Sequence, residues 1–261
     1  MEEMKEIPKI IHYCWFGKKE IPRKEAECIA SWKKFFPDYE LRLWNEDNIG
    51  LEQCAYAKQA YEQGLFAFVS DYVRAKVLYE YGGIYLDADV KVLKEFPKIY
   101  VEAGFLGFER RAFLGTAVMG CHPGNEILKE LKDYYETHNF LNEKGRMDNI
   151  ANVSVLTDIM KKKGLVLGGE PQEIEGFKIF PREMFYPKKL SETEFRITEE
   201  TCCVHLCSNS WMTEREKRRG KNKIWIEIVR PFLREIRKVG IKILGKEKIR
   251  GVEIWIRDKM R

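Results

Sequence analysis

The sequence predicts an α/β fold, a mixed sheet flanked by helices, on three observations. In the first third of the chain, short β-rich apolar runs alternate with segments of helical periodicity, and Gly and Pro punctuate them. Hydrophobic residues make up 44% and aromatic residues 13%, more than a disordered chain carries. At 261 residues the chain can bury one substantial core but is short for two independent domains.

The elements follow in order. Residues 7–15 are apolar and β-rich and end at Gly17, where the chain can turn, so they read as a buried first strand. Helical spacing over 24–35 is broken by Pro37 and Asp38, and 39–44 alternates as a second strand. Strand, helix, strand implies a right-handed parallel crossover. A second helix is expected over 51–63. Ser70 is placed to cap a third over 71–81, which Gly82 and Gly83 stop. Residues 84–86 form a strand that runs into Asp87-Ala88-Asp89. Beyond it, strands over 105–108, 116–120 and 177–180 and helices over 126–135 and 152–162 make the order mixed. His205 falls in a short loop that ends at Trp211, and neither repeats nor low-complexity linkers interrupt the chain.

Charge divides the chain near Thr213, into a body over 1–212 and a tail over 213–261. The whole carries +5, but the tail holds 17 Lys and Arg against 7 Asp and Glu, leaving the body near −5. In the tail the basic residues interleave with Ile224, Trp225, Ile228, Val229, Phe232, Leu233 and Ile236 at helical spacing, divided by Pro231 and Gly240. A basic amphipathic helix of this kind favours an anionic membrane surface over nucleic acid; the alternative is a helix packed on the body with a solvated basic face. No run approaches the roughly 18 apolar residues a transmembrane helix needs, and the first ten residues lack the apolar centre of a signal peptide. The expectation is a cytoplasmic protein, peripheral on the inner face of the plasma membrane. Seven cysteines in no paired spacing read as reduced, buried thiols; Cys203, His205 and Cys207 lack the fourth ligand of a zinc site.

The chemistry centres on Asp87 and Asp89. Two carboxylates leaving a buried strand cannot both enter a core without a large desolvation cost, so they need water or a cation. Mn²⁺ or Mg²⁺ fits hard oxygen ligands and completes its shell with substrate phosphates, which points to a diphosphate ligand. Open α/β sheets bind ligands beyond the carboxyl ends of their strands, where this pair falls. Alone, such a pair is often a solvated turn. Asp71 and Arg74, one helical turn apart, read either as an intrahelical ion pair or as groups for a donor's hydroxyls and charge.

The ordered run Ser70-Asp71-Tyr72-Val73-Arg74, then Tyr79 through Gly82-Gly83-Ile84-Tyr85-Leu86-Asp87-Ala88-Asp89, resembles the sugar-binding region of family 32 glycosyltransferases, as in the glucosylating clostridial toxins and bacterial capsular and exopolysaccharide enzymes. Residues 10–17 resemble that family's opening strand and 205–211 its closing loop. The resemblance implies a GT-A type, Rossmann-like catalytic domain over 1–212 that transfers a hexosyl group with retention from a UDP-sugar to a saccharide acceptor. It implies that Trp15 stacks on the base, that Asp89 and then Asp87 bind metal with His205 and Ser210, and that Trp211 meets the diphosphate. Ser70, Asp71, Arg74 and Tyr85 then belong to the donor site, with Asp87, Asp89 and Arg74 as the catalytic set. Trp15 also reads as a core residue, His205 as a loop histidine and Trp211 as a lid anchor. Asp148 and Asn149 are candidates for the acceptor side. With the basic tail, the acceptor is expected to be lipid-linked, in surface polysaccharide biosynthesis. A metal-dependent phosphohydrolase and a non-catalytic sugar-nucleotide or membrane-binding module are the rival classes.

Overall fold

A computed structural model describes residues 6–98, 103–143, 145, 147, 150–187 and 195–207, and in the tail 232–233, 235–236, 239–241, 245 and 249. The chain divides into two compact units, Met1–Ser208 and Asn209–Arg261.

In the first unit, β1 (Ile10–Cys14), α1 (Arg23–Phe35) and β2 (Glu40–Trp44) make the expected crossover, with β1 parallel to β2 in a register that pairs Ile10 with Glu40 and Cys14 with Trp44. A short 3₁₀ turn, Leu51–Gln53, precedes α2 (Ala55–Glu62), so the single predicted helix is two pieces. The next helix, α3 (Phe66–Tyr81), starts a turn earlier than predicted. Ser70 therefore lies inside it and is not its cap: its hydroxyl donates back to the carbonyl of Phe66 at 3.1 Å, the back-bond of an interior serine. At Gly82 (φ +63°) the helix ends, and Gly83 (φ +90°) starts β3 (Gly83–Leu86).

After β3 come β4 (Val90–Val92), β5 (Gly104–Arg110), β6 (Phe113–Leu114), β7 (Val118–Cys121), α4 (Glu126–Thr137), α5 (Asn152–Lys162), β8 (Gln172–Ile174), β9 (Phe177–Phe180) and β10 (Cys203–His205). Asn125 caps α4, accepting from the amides of Ile127 and Leu128. The described residues form an eight-stranded mixed sheet ordered β2-β1-β3-β7-β5-β9-β8, with β6 on β5, and a small antiparallel pair, β10 with β4. β1, β2 and β3 run the same way; β7 is antiparallel to β3 and to β5, so β5 again runs with β3. The carboxyl ends of β1, β2, β3 and β5 therefore lie along one edge.

Two apolar layers sandwich the sheet. One, including Val73, Leu78, Leu106, Phe108, Leu128, Leu131 and Leu156, sits under α2 to α5; the other gathers Ile11, Trp32, Phe36, Ile84, Phe96, Phe105 and Phe185. None of the seven cysteines is in a disulfide, and all but Cys207 are buried. His205 is not in a loop, as the sequence suggests, but ends strand β10 opposite Val90. In the tail, Pro231 lies outside the described residues, Gly240 is helical rather than a break, and Gly245 is left-handed (φ +82°). Phe232, Leu233, Ile236 and Val239 are exposed. Among the described residues, no helix is long and apolar enough to cross a membrane.

Candidate metal and donor site

Asp87 and Asp89 leave β3 at the edge where the parallel strands end. The turn is fixed by its backbone: the Asp87 amide donates to the Ala117 carbonyl (2.9 Å) and the Val90 amide to the Asp87 carbonyl (2.8 Å). Opposite, the Leu206 amide donates to the Asp89 carbonyl at 3.0 Å, which locks the end of β10 against the motif. His205 Nε2 thereby lies 3.2 Å from Asp89 Oδ1 and 4.0 Å from Asp87 Oδ2. One ligand atom from each of Asp87, Asp89 and His205 falls within 4.8 Å of the others. Two carboxylate oxygens and an imidazole nitrogen at a sheet edge make a donor set that fits a divalent cation with positions left for substrate oxygens. Burial is the largest influence on the pKa of His205 and lowers it, but the hydrogen bonds to Asp89 and Cys207 and the charges of the same two groups together outweigh it and hold it well above the usual range.

Arg74 organises the acidic groups. Its side chain is 5% exposed, and its guanidinium spans Asp71 Oδ1 (3.2 Å) and Asp87 Oδ1 (3.1 Å) while donating to the carbonyls of Thr116 (2.7 Å) and Ser70 (3.2 Å). Most of its donors are thus committed to protein groups, so in this state it orients the carboxylates rather than offering an open fork to a phosphate. Tyr85, 1% exposed, donates its hydroxyl to Asp87 Oδ1 at 3.0 Å, and its ring lies under the Arg74 guanidinium at 4.7 Å. Its contact is with Asp87 and not with open solvent, a supporting position. Burial raises the pKa of Asp71 to about 7, against the pull of Arg74 and with Asp87 adding to the rise.

Trp15 stands just past β1, partly exposed, its amide bonded to the Trp44 carbonyl and its indole N–H to the Lys19 carbonyl at 2.7 Å. The side chain is thus outside the core. Asp148, Asn149, Ser210 and Trp211 lie outside the described residues.

Two supporting residues escape sequence reasoning. His12, fully buried, accepts at Nδ1 from Trp44 Nε1 (3.0 Å) and bonds the Gly82 carbonyl through Nε2 (2.9 Å), which ties β1 and β2 to the turn that launches β3. Burial lowers its pKa to about 4, so the ring is neutral with its proton on Nε2. Asn152, at the start of α5, donates to the Asp71 carbonyl at 3.4 Å. A histidine in an apolar strand announces its partners only when the fold supplies them, and Asn152 has no local signature.

Residues 22–106 match the family model described as a glycosyltransferase sugar-binding region containing the DXD motif. This segment is similar to the sugar-binding region of DXD glycosyltransferases. The region spans α1 to β5 and contains Asp71, Arg74, Asp87 and Asp89; Trp15 and His205 lie outside it. Over 48% of this chain and 36% of the other, the chain is 39% identical to inositol phosphoceramide mannosyltransferase 3 of Schizosaccharomyces pombe. It is 27% identical, over 50% of its length and 25% of the other's, to subversion of eukaryotic traffic protein A of Legionella pneumophila. The solved PaToxG glycosyltransferase superposes with a TM-score of 0.49 at 20% identity, over 61% of this chain and 71% of that one. The chain spans about a quarter to a third of the length of the curated relatives it matches.

Proposed function

We propose that the chain is a metal-dependent, retaining glycosyltransferase that moves a hexosyl group from a nucleotide sugar, a UDP-sugar in the first instance, to a saccharide acceptor. The observation that carries this reading is the convergence of Asp87, Asp89 and His205 on one point at the end of β3, within a chain that carries a DXD sugar-binding region. Asp89 and Asp87, with His205 and Ser210, would hold Mn²⁺ or Mg²⁺, which when bound offsets the charge that grows on a departing diphosphate. The chain's own groups set the geometry. Arg74 and Tyr85 fix the Asp87 carboxylate, and β10 pins Asp89 through the Leu206 amide. Asp71 accepts hydrogen bonds from sugar hydroxyls, with Ser70 beside it, while Trp15 and Trp211 take the base and the diphosphate. Asp148 and Asn149 are assigned to the acceptor side.

A lipid-linked acceptor, used in building surface polysaccharide, suits the basic tail with exposed Phe232, Leu233, Ile236 and Val239. Such a tail would hold the enzyme on the inner face of the plasma membrane. The names of the fission-yeast relatives give mannosyl transfer and an inositol phosphoceramide substrate for those proteins, so a mannosyl donor and a lipid acceptor belong in the test.

The test is a thermal-shift panel of UDP, GDP, UDP-sugars and GDP-mannose with and without Mn²⁺, since a ligand bound to the native state raises the melting temperature by mass action. A metal-dependent rise with one nucleotide family supports the reading and ranks the donors. No rise with any nucleotide, or turnover of phosphate esters instead, overturns it.

A further inference from the structure

Glu109 stands on the same sheet edge as the metal ligands. It lies near the carboxyl end of β5, and β5 runs with β3, so Glu109 and Asp87 leave the sheet in the same direction. Only β7 separates the two strands, which puts them about 10 Å apart, two strand spacings. In the order β1-β3-β7-β5, Trp15 follows β1, the Asp87–Asp89 pair follows β3, and Glu109 lies on the far side of that pair from Trp15. With its base at Trp15 and its diphosphate at Asp87 and Asp89, as proposed above, a nucleotide sugar would run its sugar toward β7 and β5.

The backbone is built to aim this residue. β5 pairs with β6 through Phe108 opposite Leu114 and Arg110 opposite Phe113, so Glu109 is the extra residue of a β-bulge. Bulges re-aim side chains and recur beside active sites. The Glu109 carboxylate is 26% exposed, and among the described residues its closest cation is the neighbouring Arg110 at 3.9 Å, too far for a hydrogen bond. It reaches inward as well: its charge acts on the buried Tyr186 hydroxyl more strongly than that of Asp87 does. Tyr186 is itself placed by the site, accepting from the Val118 amide at 3.0 Å and packing edge-on to the His205 ring at 6.2 Å.

We infer that Glu109 is a specificity-determining residue of the donor site, its carboxylate accepting a hydrogen bond from a hydroxyl of the transferred sugar, across the ring from Asp71. This rests on the donor reading above and adds a second carboxylate, besides Asp71, that distinguishes a sugar nucleotide from a bare nucleoside diphosphate.

The experiment compares wild type and Glu109→Gln by titration calorimetry with Mn²⁺, using UDP, GDP, UDP-glucose, UDP-galactose, UDP-N-acetylglucosamine and GDP-mannose. The expected result is wild-type affinity of the variant for the bare diphosphate, and affinity for the preferred sugar nucleotide reduced about tenfold or more, the loss expected for a hydrogen bond to a charged group. Equal affinity of the two proteins for the sugar nucleotide overturns the inference while leaving the donor reading intact. Loss of the bare diphosphate as well makes Glu109 a support of the fold and also overturns it. A wild type that binds no nucleotide refutes the proposed function itself, and the inference with it.

Discussion

Replacing Asp71 by Asn reads the electrostatics of the site through stability alone. The Asp71 side chain is 15% exposed, and burial raises its pKa from 3.8 to about 7 despite the Arg74 guanidinium at 3.2 Å. Because the folded-state value lies above the unfolded one, the stability this group contributes is fully present below about pH 3.8 and is lost as the pH rises through about 7. At about 1.36 kcal/mol per pKa unit, holding the ionised carboxylate in the fold costs about 4 kcal/mol near pH 8. Asparagine has the same shape and no charge to desolvate. Urea unfolding of the metal-free protein, followed by circular dichroism, should find D71N more stable than wild type near pH 8 by up to about 4 kcal/mol, with the difference closing toward pH 4. His12 acts with the opposite sign: its pKa is lowered from 6.5 to about 4, so its contribution is present above pH 6.5 and is lost as the pH falls through about 4. In wild type the two slopes oppose each other between these limits; in D71N the histidine's slope remains and stability falls with acid. A D71N protein less stable than wild type near pH 8 would show that the neighbouring groups more than compensate the buried charge, and the reasoning would fail.

Three other substitutions probe how the site is held. Trp44→Phe removes the indole donor from His12 Nδ1 and should cost about 1–3 kcal/mol in urea unfolding, the penalty of an unsatisfied buried acceptor. Trp32→Phe strands the Val90 carbonyl, to which the indole donates at 2.7 Å, and β4 follows Asp89 directly. It should lower stability by a similar amount and weaken Mn²⁺ binding in calorimetry, whereas unchanged metal affinity would separate β4 from the site. Gly83→Ala places a Cβ 2.6 Å from the Ile10 carbonyl at a left-handed φ of +90°, and thermal unfolding should show a loss of about 3 kcal/mol.

The front half of the fold was legible because its patterns are local. The crossover β1-α1-β2, the glycine stop after α3 and the strand running into Asp87 each follow from periodicity and turn chemistry within a dozen or so residues. Ser70 reads as a cap by its residue type at the start of the pattern over 71–81, yet burial of Val69, Tyr72 and Val73 draws the helix back to Phe66. The strand holding His205 is not legible in the sequence, because three residues pairing with three others more than a hundred positions away leave no periodic signature. For the same reason the meeting of His205 with Asp87 and Asp89 was reachable only through resemblance, not from spacing. The Asp71–Arg74 pair is local, one turn of α3, but that the guanidinium also holds Asp87 depends on the packing of α3 against the strand that carries Asp87, which the residues around Arg74 do not announce.

Calorimetric titration of Mn²⁺ into the protein with UDP or GDP present, repeated on Asp89→Ala and His205→Ala, asks whether the cation sits at the end of β3. One metal site per chain is expected in wild type, tighter with the nucleotide than without, abolished in D89A and weakened in H205A. Mn²⁺ binding that is the same in all three proteins would contradict it, because the cation would then be held somewhere other than the end of β3.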